Sequence, residues 1–158
     1  MGLRPATEAD LDVIIELIHA LAEYEHEPEA VQLDRERLRV HLFGERPFAE
    51  VIMAEDDDAD TVGFALFFHN YSTWMGQPGI WLEDLFVREE RRGEGYGAAL
   101  LTELARLAVE RECGRLEWSV LDWNKPSIGF YKSLGAVPME EWTTFRLTGE
   151  ALADLGRG

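Results

Sequence analysis

The sequence predicts an α+β protein, built on one mixed but largely antiparallel central sheet with a parallel strand pair near its middle and helices flanking it. Three observations lead there. Apolar residues recur at helical spacing in two long segments, Leu11–Ala22 and Leu100–Ala108. Between them β-rich runs are separated by turn residues, as in an antiparallel meander. From Ile80 onward the order becomes strand–helix–strand–helix–strand, and strands joined through a helix can lie parallel.

The elements follow in chain order. Thr7 and Asp10 form an N-cap pair ahead of a helix from about Glu8 to Glu25, carried by Leu11, Ile14, Ile15, Ile18, Leu21 and Ala22. Asp34 caps a second short helix with Leu38, Leu42 and Phe43 inward, ended by Gly44. Val51–Glu55 and Thr61–Asn70 form a hairpin around the acidic run Asp56–Asp60, and Ile80–Val87 is a further strand. Arg91–Gly97 is a Gly-rich connection into a helix over Ala98–Glu112, closed by Gly114. Arg115–Leu121 is a strand. Pro126 starts a helix over Ser127–Leu134, which Gly135 ends. Val137–Leu147 supplies the final strands, and Thr148–Leu155 a short terminal helix.

At 158 residues the chain has the size of one domain, 1–158, large enough to bury a core without disulfides or metals. No repeat or low-complexity linker divides it, and strand-like segments flank both Asp56–Asp60 and Gly76–Gly79. Acidic residues outnumber basic ones 31 to 15, so the formal charge is −16. That field repels nucleic acid, for which no basic stripe exists, and attracts small cations. A single cysteine, Cys113, fits a reducing compartment, and Arg4, Glu8, Asp10, Asp12 and Glu16 interrupt any signal-peptide apolar run. The longest apolar block, Val62–Phe68, is far short of the ~20 residues of a membrane helix. The expected setting is cytoplasmic. Cys113, just before Gly114 at a helix C-terminus, is a poor nucleophile there, because the helix dipole disfavours a thiolate. His19, His26, His41 and His69 show no metal-ligand spacing, so no metal is expected. Tyr71, Trp74 and Trp81 flank the Gly76–Gly79 loop, either as packing residues or as an apolar wall for an alkyl ligand.

The chemistry concentrates in two motifs. In the first, Leu82-Glu83-Asp84-Leu85-Phe86-Val87 runs through Arg88–Arg91 into Arg92-Gly93-Glu94-Gly95-Tyr96-Gly97 and then a helix. Alternate glycines let an anion approach the backbone, and the unpaired N–H groups of a first helical turn point at it. Such a turn either cradles a pyrophosphate or is a plain Gly-rich connection. A P-loop is excluded because no Lys-Ser or Lys-Thr follows. A dinucleotide site has Glu117 near the distance of a ribose acid, but the third glycine comes one residue early and no repeated βαβ units follow. Arg88–Glu94 sums to zero charge, far less negative than the whole chain, as an anionic ligand requires. The second motif is Trp123-Asn124-Lys125-Pro126-Ser127-Ile128-Gly129-Phe130-Tyr131-Lys132-Ser133-Leu134-Gly135-Ala136.

Both motifs, in this order, resemble those of the GNAT superfamily of N-acetyltransferases. The resemblance implies a GNAT fold and acetyl-CoA as acyl donor. By that resemblance Leu85, Phe86 and Val87 take the pantetheine arm, and Arg92, Gly93, Glu94, Gly95, Tyr96, Gly97 and Ala98 take the phosphates. Asn124 and Ser127 contact the CoA arm or, more simply, cap their helix. Tyr131 matches the family tyrosine near the thioester sulfur; protonated at neutral pH, it can give its proton to a departing thiolate, or else packs beside Phe130.

From Leu3 to Leu147 the chain also resembles the spermidine/spermine (diamine) acetyltransferases and their thialysine-acetylating relatives, through Arg4-Pro5-Ala6-Thr7, Leu21–Glu25, Gly44–Phe48 and Trp81–Asp84. That implies a homodimer and a small amine substrate bordered by Tyr24, Glu25 and Glu83. Ammonium groups need carboxylates in a partly dry cleft. Glu83 can also take the proton through water, since an ammonium cannot attack a thioester; its plainer role is a buried structural acid, and that of Glu25 a solvated helix end. Asp84 alternates to the other face of a regular strand and ranks below Glu83. The segment Pro138–Thr144 is shorter than the acidic stretch of polyamine-preferring relatives, so acetyl transfer rests on more residues than polyamine preference does. Thialysine- or lysine-like amines are the alternative acceptors, and a non-catalytic acyl-CoA sensor the alternative of another class.

Overall fold

A computed structural model describes residues 1–158. The chain divides into two compact units, Met1–Leu121 and Asp122–Gly158.

The first unit holds a five-stranded sheet in the order β1-β2-β3-β4-β5, with β1 Gly2–Pro5, β2 Glu50–Glu55, β3 Thr61–Ser72, β4 Gln77–Val87 and β5 Leu116–Trp118. β1 to β4 pair antiparallel, and β4 pairs with β5 in parallel. Helices α1 Leu11–Tyr24, α2 Arg35–Phe43 and α3 Tyr96–Glu110 cover it. Strand periodicity explains the layers: Val51, Met53, Phe64, Leu66 and Phe86 share one face and pack with Ile14, Leu17 and Leu42 of α1 and α2. The alternate residues Ile52, Ala54, Ala65 and Phe67 are buried on the opposite face, and α3 buries Leu100, Leu101, Leu104 and Ala108.

Local signals act largely as the sequence dictates. A 3-10 turn at Glu8–Asp10 precedes α1, and the Asp10 carboxylate accepts from the Thr7 N–H at 2.7 Å and from two nitrogens of Arg4 at 2.7 and 2.9 Å. Asp34 caps α2 by accepting from the Arg37 N–H at 2.8 Å. Asp56 organises the acidic turn, its carboxylate accepting from the N–H groups of Asp58 and Asp60. α3 starts two residues earlier than periodicity predicts and takes in Gly97. β1 is not visible as a pattern in Gly2–Pro5, because four residues ending in proline carry too little alternation.

The parallel pair lies at the sheet edge rather than near its middle, because no strand follows β5 in the order. β5 is also shorter than the expected Arg115–Leu121. It pairs with β4 only at Ile80–Leu82, immediately before an irregularity in β4.

In the second unit, α4 spans Lys125–Ser133 with Pro126 in its first turn, and Gly135 follows at φ +92°. α5 spans Gly149–Arg157 behind Thr148 as N-cap. The strands expected over Val137–Leu147 are not formed. Pro138 has no N–H to give a ladder, and a turn brings the Trp142 N–H to Met139 O at 3.4 Å. The apolar alternation of Val137 and Met139 also breaks at Trp142.

Candidate active site

The irregularity in β4 shapes the site. Leu66 of β3 pairs with Asp84, but the next residue, Phe67, pairs with Leu82, so Glu83 is an extra residue with no partner: a β-bulge. A bulge bends its strand, and the ladder to β5 stops at Leu82. Beyond it, Asp84–Val87 keep β3 on one edge and have no strand on the other. Leu85, Phe86 and Val87 therefore present an open backbone edge, with Phe86 buried beneath it and Val87 O accepting from Arg92 Nε at 3.0 Å.

The same bulge overturns the strand-alternation argument about the acids. Leu82 pairs with Phe67 on the α3 side, so Glu83 turns to the α1 side. Asp84 pairs with Leu66, which belongs to the α1-side core, so it stays on that side as well. Glu25, the C-cap of α1, completes a group of three carboxylates that feel one another's charge. Glu83 is exposed, not the buried acid its apolar neighbours suggest. Asp84 is half-buried: desolvation first, then the charges of Glu83 and Glu25, push its carboxyl up to about 7. Desolvation and then Glu83 raise Glu25 as well. The sequence argument that set Asp84 below Glu83 placed it on the other face of a regular strand, and the bulge removes that ground.

The Gly-rich loop leaves β4 through a 3-10 turn at Glu89–Arg91. Arg88 pairs with Glu16, and Arg91 pairs with Asp56 and Glu94, so two of the three local arginines are committed to carboxylates, and Glu94 to Arg91. Arg92 makes no ion pair; its guanidinium carbon lies 4.5 Å from the Tyr24 ring centroid and 5.4 Å from that of Phe86. Tyr96 is buried, and its hydroxyl accepts from Arg91 at 3.3 Å, so its side chain is engaged with Arg91. Gly95 caps α3 at φ +92°, where side chains are strained, and no side chain caps the first-turn N–H groups of α3. A Cβ on Gly97 would meet nothing within 4 Å. An uncapped helix start beside a side-chain-free surface and an unpaired arginine fits the pyrophosphate of an acyl-CoA.

In the second unit Asn124 Oδ1 accepts from the Ser127 N–H at 3.4 Å, which is helix capping. Tyr131 lies on α4 with its ring centroid 5.6 Å from that of Phe130.

Comparison with known proteins agrees with this geometry. Residues 12–136, a span holding both motifs, match the acetyltransferase (GNAT) family. A thialysine N-epsilon-acetyltransferase of Bos taurus is 40% identical over 163 residues, covering 97% of this chain and 95% of the relative. An L-ornithine N5-acetyltransferase of Arabidopsis thaliana is 32% identical, covering 95% and 85%. A spermidine/spermine N(1)-acetyltransferase-like protein of Homo sapiens is 33% identical over 97% of this chain but only 23% of its own length. Among solved structures, an integron cassette protein from the mobile metagenome of V. cholerae superposes with a TM-score of 0.81 at 26% identity, covering 99% and 98%. The chain belongs to the acetyltransferase (GNAT) family and is an N-acetyltransferase, an enzyme that moves an acetyl group onto an amine.

Proposed function

We propose that this enzyme acetylates the primary amine of a small acceptor that carries a second positive charge, in the class of thialysine, ornithine and short diamines or polyamines. The observation that carries the reading is the group of Glu25, Glu83 and Asp84, three carboxylates on one side of β4 with no ion pair among them to a lysine or arginine. Relatives named for thialysine, ornithine and spermidine/spermine support the same class. Chain 1–158 then acts as one acetyltransferase domain, cytoplasmic and homodimeric, without nucleic acid, membrane or metal partners.

In this reading acetyl-CoA supplies the thioester. The open edge of Leu85, Phe86 and Val87 pairs with the pantetheine arm. The backbone from Arg92 through Ala98 and the Arg92 guanidinium hold the phosphates; the part of Asn124 and Ser127 as contacts to the arm rests on their motif alone. Glu25 and the Tyr24 ring hold the distal cation of the acceptor, Glu25 through a charge-assisted bond. Glu83, through a water, takes a proton from the attacking ammonium, whose freed lone pair forms the N–C bond while the C–S bond breaks. Tyr131 gives its hydroxyl proton to the departing thiolate, the acetylated nitrogen loses its second proton to solvent, and solvent returns a proton to Tyr131; the part of Tyr131 rests on the Asn124–Gly135 motif.

Thiol release from acetyl-CoA across thialysine, ornithine, lysine, putrescine, spermidine and n-butylamine tests the proposal. Turnover concentrated on the dicationic acceptors supports it. Equal or better turnover of n-butylamine overturns the charge-reading site, and no turnover of any of them overturns the acceptor class.

A further inference from the structure

The three carboxylates raise a problem that the reaction scheme leaves open: what they do when no substrate is present. Asp84 faces the α1 side with Leu66 opposite it on β3, an apolar partner that offers no donor. The charged groups acting on it are Glu83 on its own strand and Glu25 at the end of α1, both negative. Arg92, the cation near this face, lies over Tyr24 and Phe86, bonds Val87 O, and pairs with none of the three. Three ionised carboxylates, two of them half-buried, repel one another at a cost that a cation or a proton removes.

We propose that Asp84 holds a proton in the free enzyme and releases it to solvent when a cationic acceptor enters, so that the acceptor's positive charge replaces the proton. The inference rests on the acceptor reading above and deepens it. The burial that lifts Asp84 to about 7 puts this exchange in the neutral range. The bookkeeping closes: one O–H bond breaks on Asp84, the proton passes to buffer, and the carboxylate left behind faces an ammonium. The physical consequence is thermodynamic linkage. Acceptor affinity climbs by up to about tenfold per pH unit below neutrality and levels off above it. Neutral-tailed amines, bringing no second cation, lack most of that dependence. The bulge at Glu83 is the structural cause, since a regular strand would turn Asp84 to the α3 side, away from Glu25.

Calorimetry on the CoA-loaded enzyme tests this with thialysine and putrescine, in buffers of different ionisation enthalpy. The expected result is release of roughly one proton per acceptor near pH 6, falling towards zero by about pH 9 and absent in Asp84→Asn. Binding without proton release in the wild type, or with equal release in Asp84→Asn, overturns the inference and leaves the acceptor site standing. Failure of either amine to bind removes both. Should Asp84→Asn bind too weakly to measure, carbon-detected NMR of aspartate carboxyls in the wild-type protein decides. The Asp84 signal, identified by its loss in the variant, must titrate in the neutral range in the free enzyme and stay ionised to lower pH with putrescine present. An Asp84 already ionised at pH 5 without ligand contradicts the proposal.

Discussion

The guanidinium carbon of Arg92 lies 4.5 Å from the centroid of the Tyr24 ring, which joins the Gly-rich loop to the end of α1. The next residue after Tyr24 is Glu25, so one arginine touches both the phosphate side and the acceptor side of the proposed site. Arg92→Ala is expected to raise the acetyl-CoA KM and, by freeing Tyr24, the acceptor KM as well. The lost cation–π contact contributes about 0.5–1 kcal/mol to stability. Arg92→Lys should keep most of the CoA effect but lose the stacked geometry. Steady-state kinetics in both substrates, with urea unfolding alongside, checks this; unchanged CoA affinity in Arg92→Ala contradicts the loop assignment.

Gly97 gives a prediction in which stability and function part. It sits in the first turn of α3, and a Cβ there meets nothing within 4 Å. Gly97→Ala should therefore leave the fold intact or stabilise it by up to about 1 kcal/mol, because alanine favours a helix. If the loop cradles the phosphates as proposed, the substitution should weaken CoA binding, since the methyl group would stand between them and the backbone. Gly95 is the poorer test, because φ +92° strains any side chain there. CoA titration and thermal unfolding of Gly97→Ala read the two effects separately.

Tyr131→Phe should lower kcat by ~10²–10⁴-fold with little change in acetyl-CoA affinity, the usual cost of losing a general acid. Unchanged turnover across the pH range would take Tyr131 out of the mechanism.

How far the sequence speaks depends on what sets each feature. Caps are local chemistry, so Asp34 and the Thr7–Asp10 pair are legible, and α1 and α3 follow from periodicity. The Gly-rich loop is legible because Gly93 and Gly95 take positive φ, a conformation that favours glycine. Three features are not local. β1 exists only through its pairing with β2. Val137–Leu147 has β-rich composition, yet Pro138 and the Met139–Trp142 turn break the run. The bulge at Glu83 depends on registration with β3, and strict alternation therefore put Asp84 on the wrong side. Among the Arg88–Arg92 charges, composition gave a zero sum, but only the fold separates the paired Arg88 and Arg91 from Arg92.

Asp10 anchors the start of α1, and its carboxyl is held down at about 2, first by the hydrogen bonds from Arg4. Because the folded value lies below the unfolded one, the stabilisation is present above about pH 4 and is lost as pH falls through about 2. Asp10→Asn should cost roughly 2 kcal/mol at pH 6, the scale of charge-assisted bonds. The gap between variant and wild type should narrow towards pH 2. Urea unfolding at several pH values checks both the size and the sign.

The central claim is that carboxylates at the end of α1 and the bulge of β4 read the acceptor's second charge. The most direct measurement compares kcat/KM for thialysine with that for n-butylamine in the wild type and in Glu25→Gln, a change that keeps volume and removes charge. The account predicts a loss of about tenfold or more for thialysine, from one charge-assisted bond, and little change for n-butylamine. Equal losses for the two amines would contradict it.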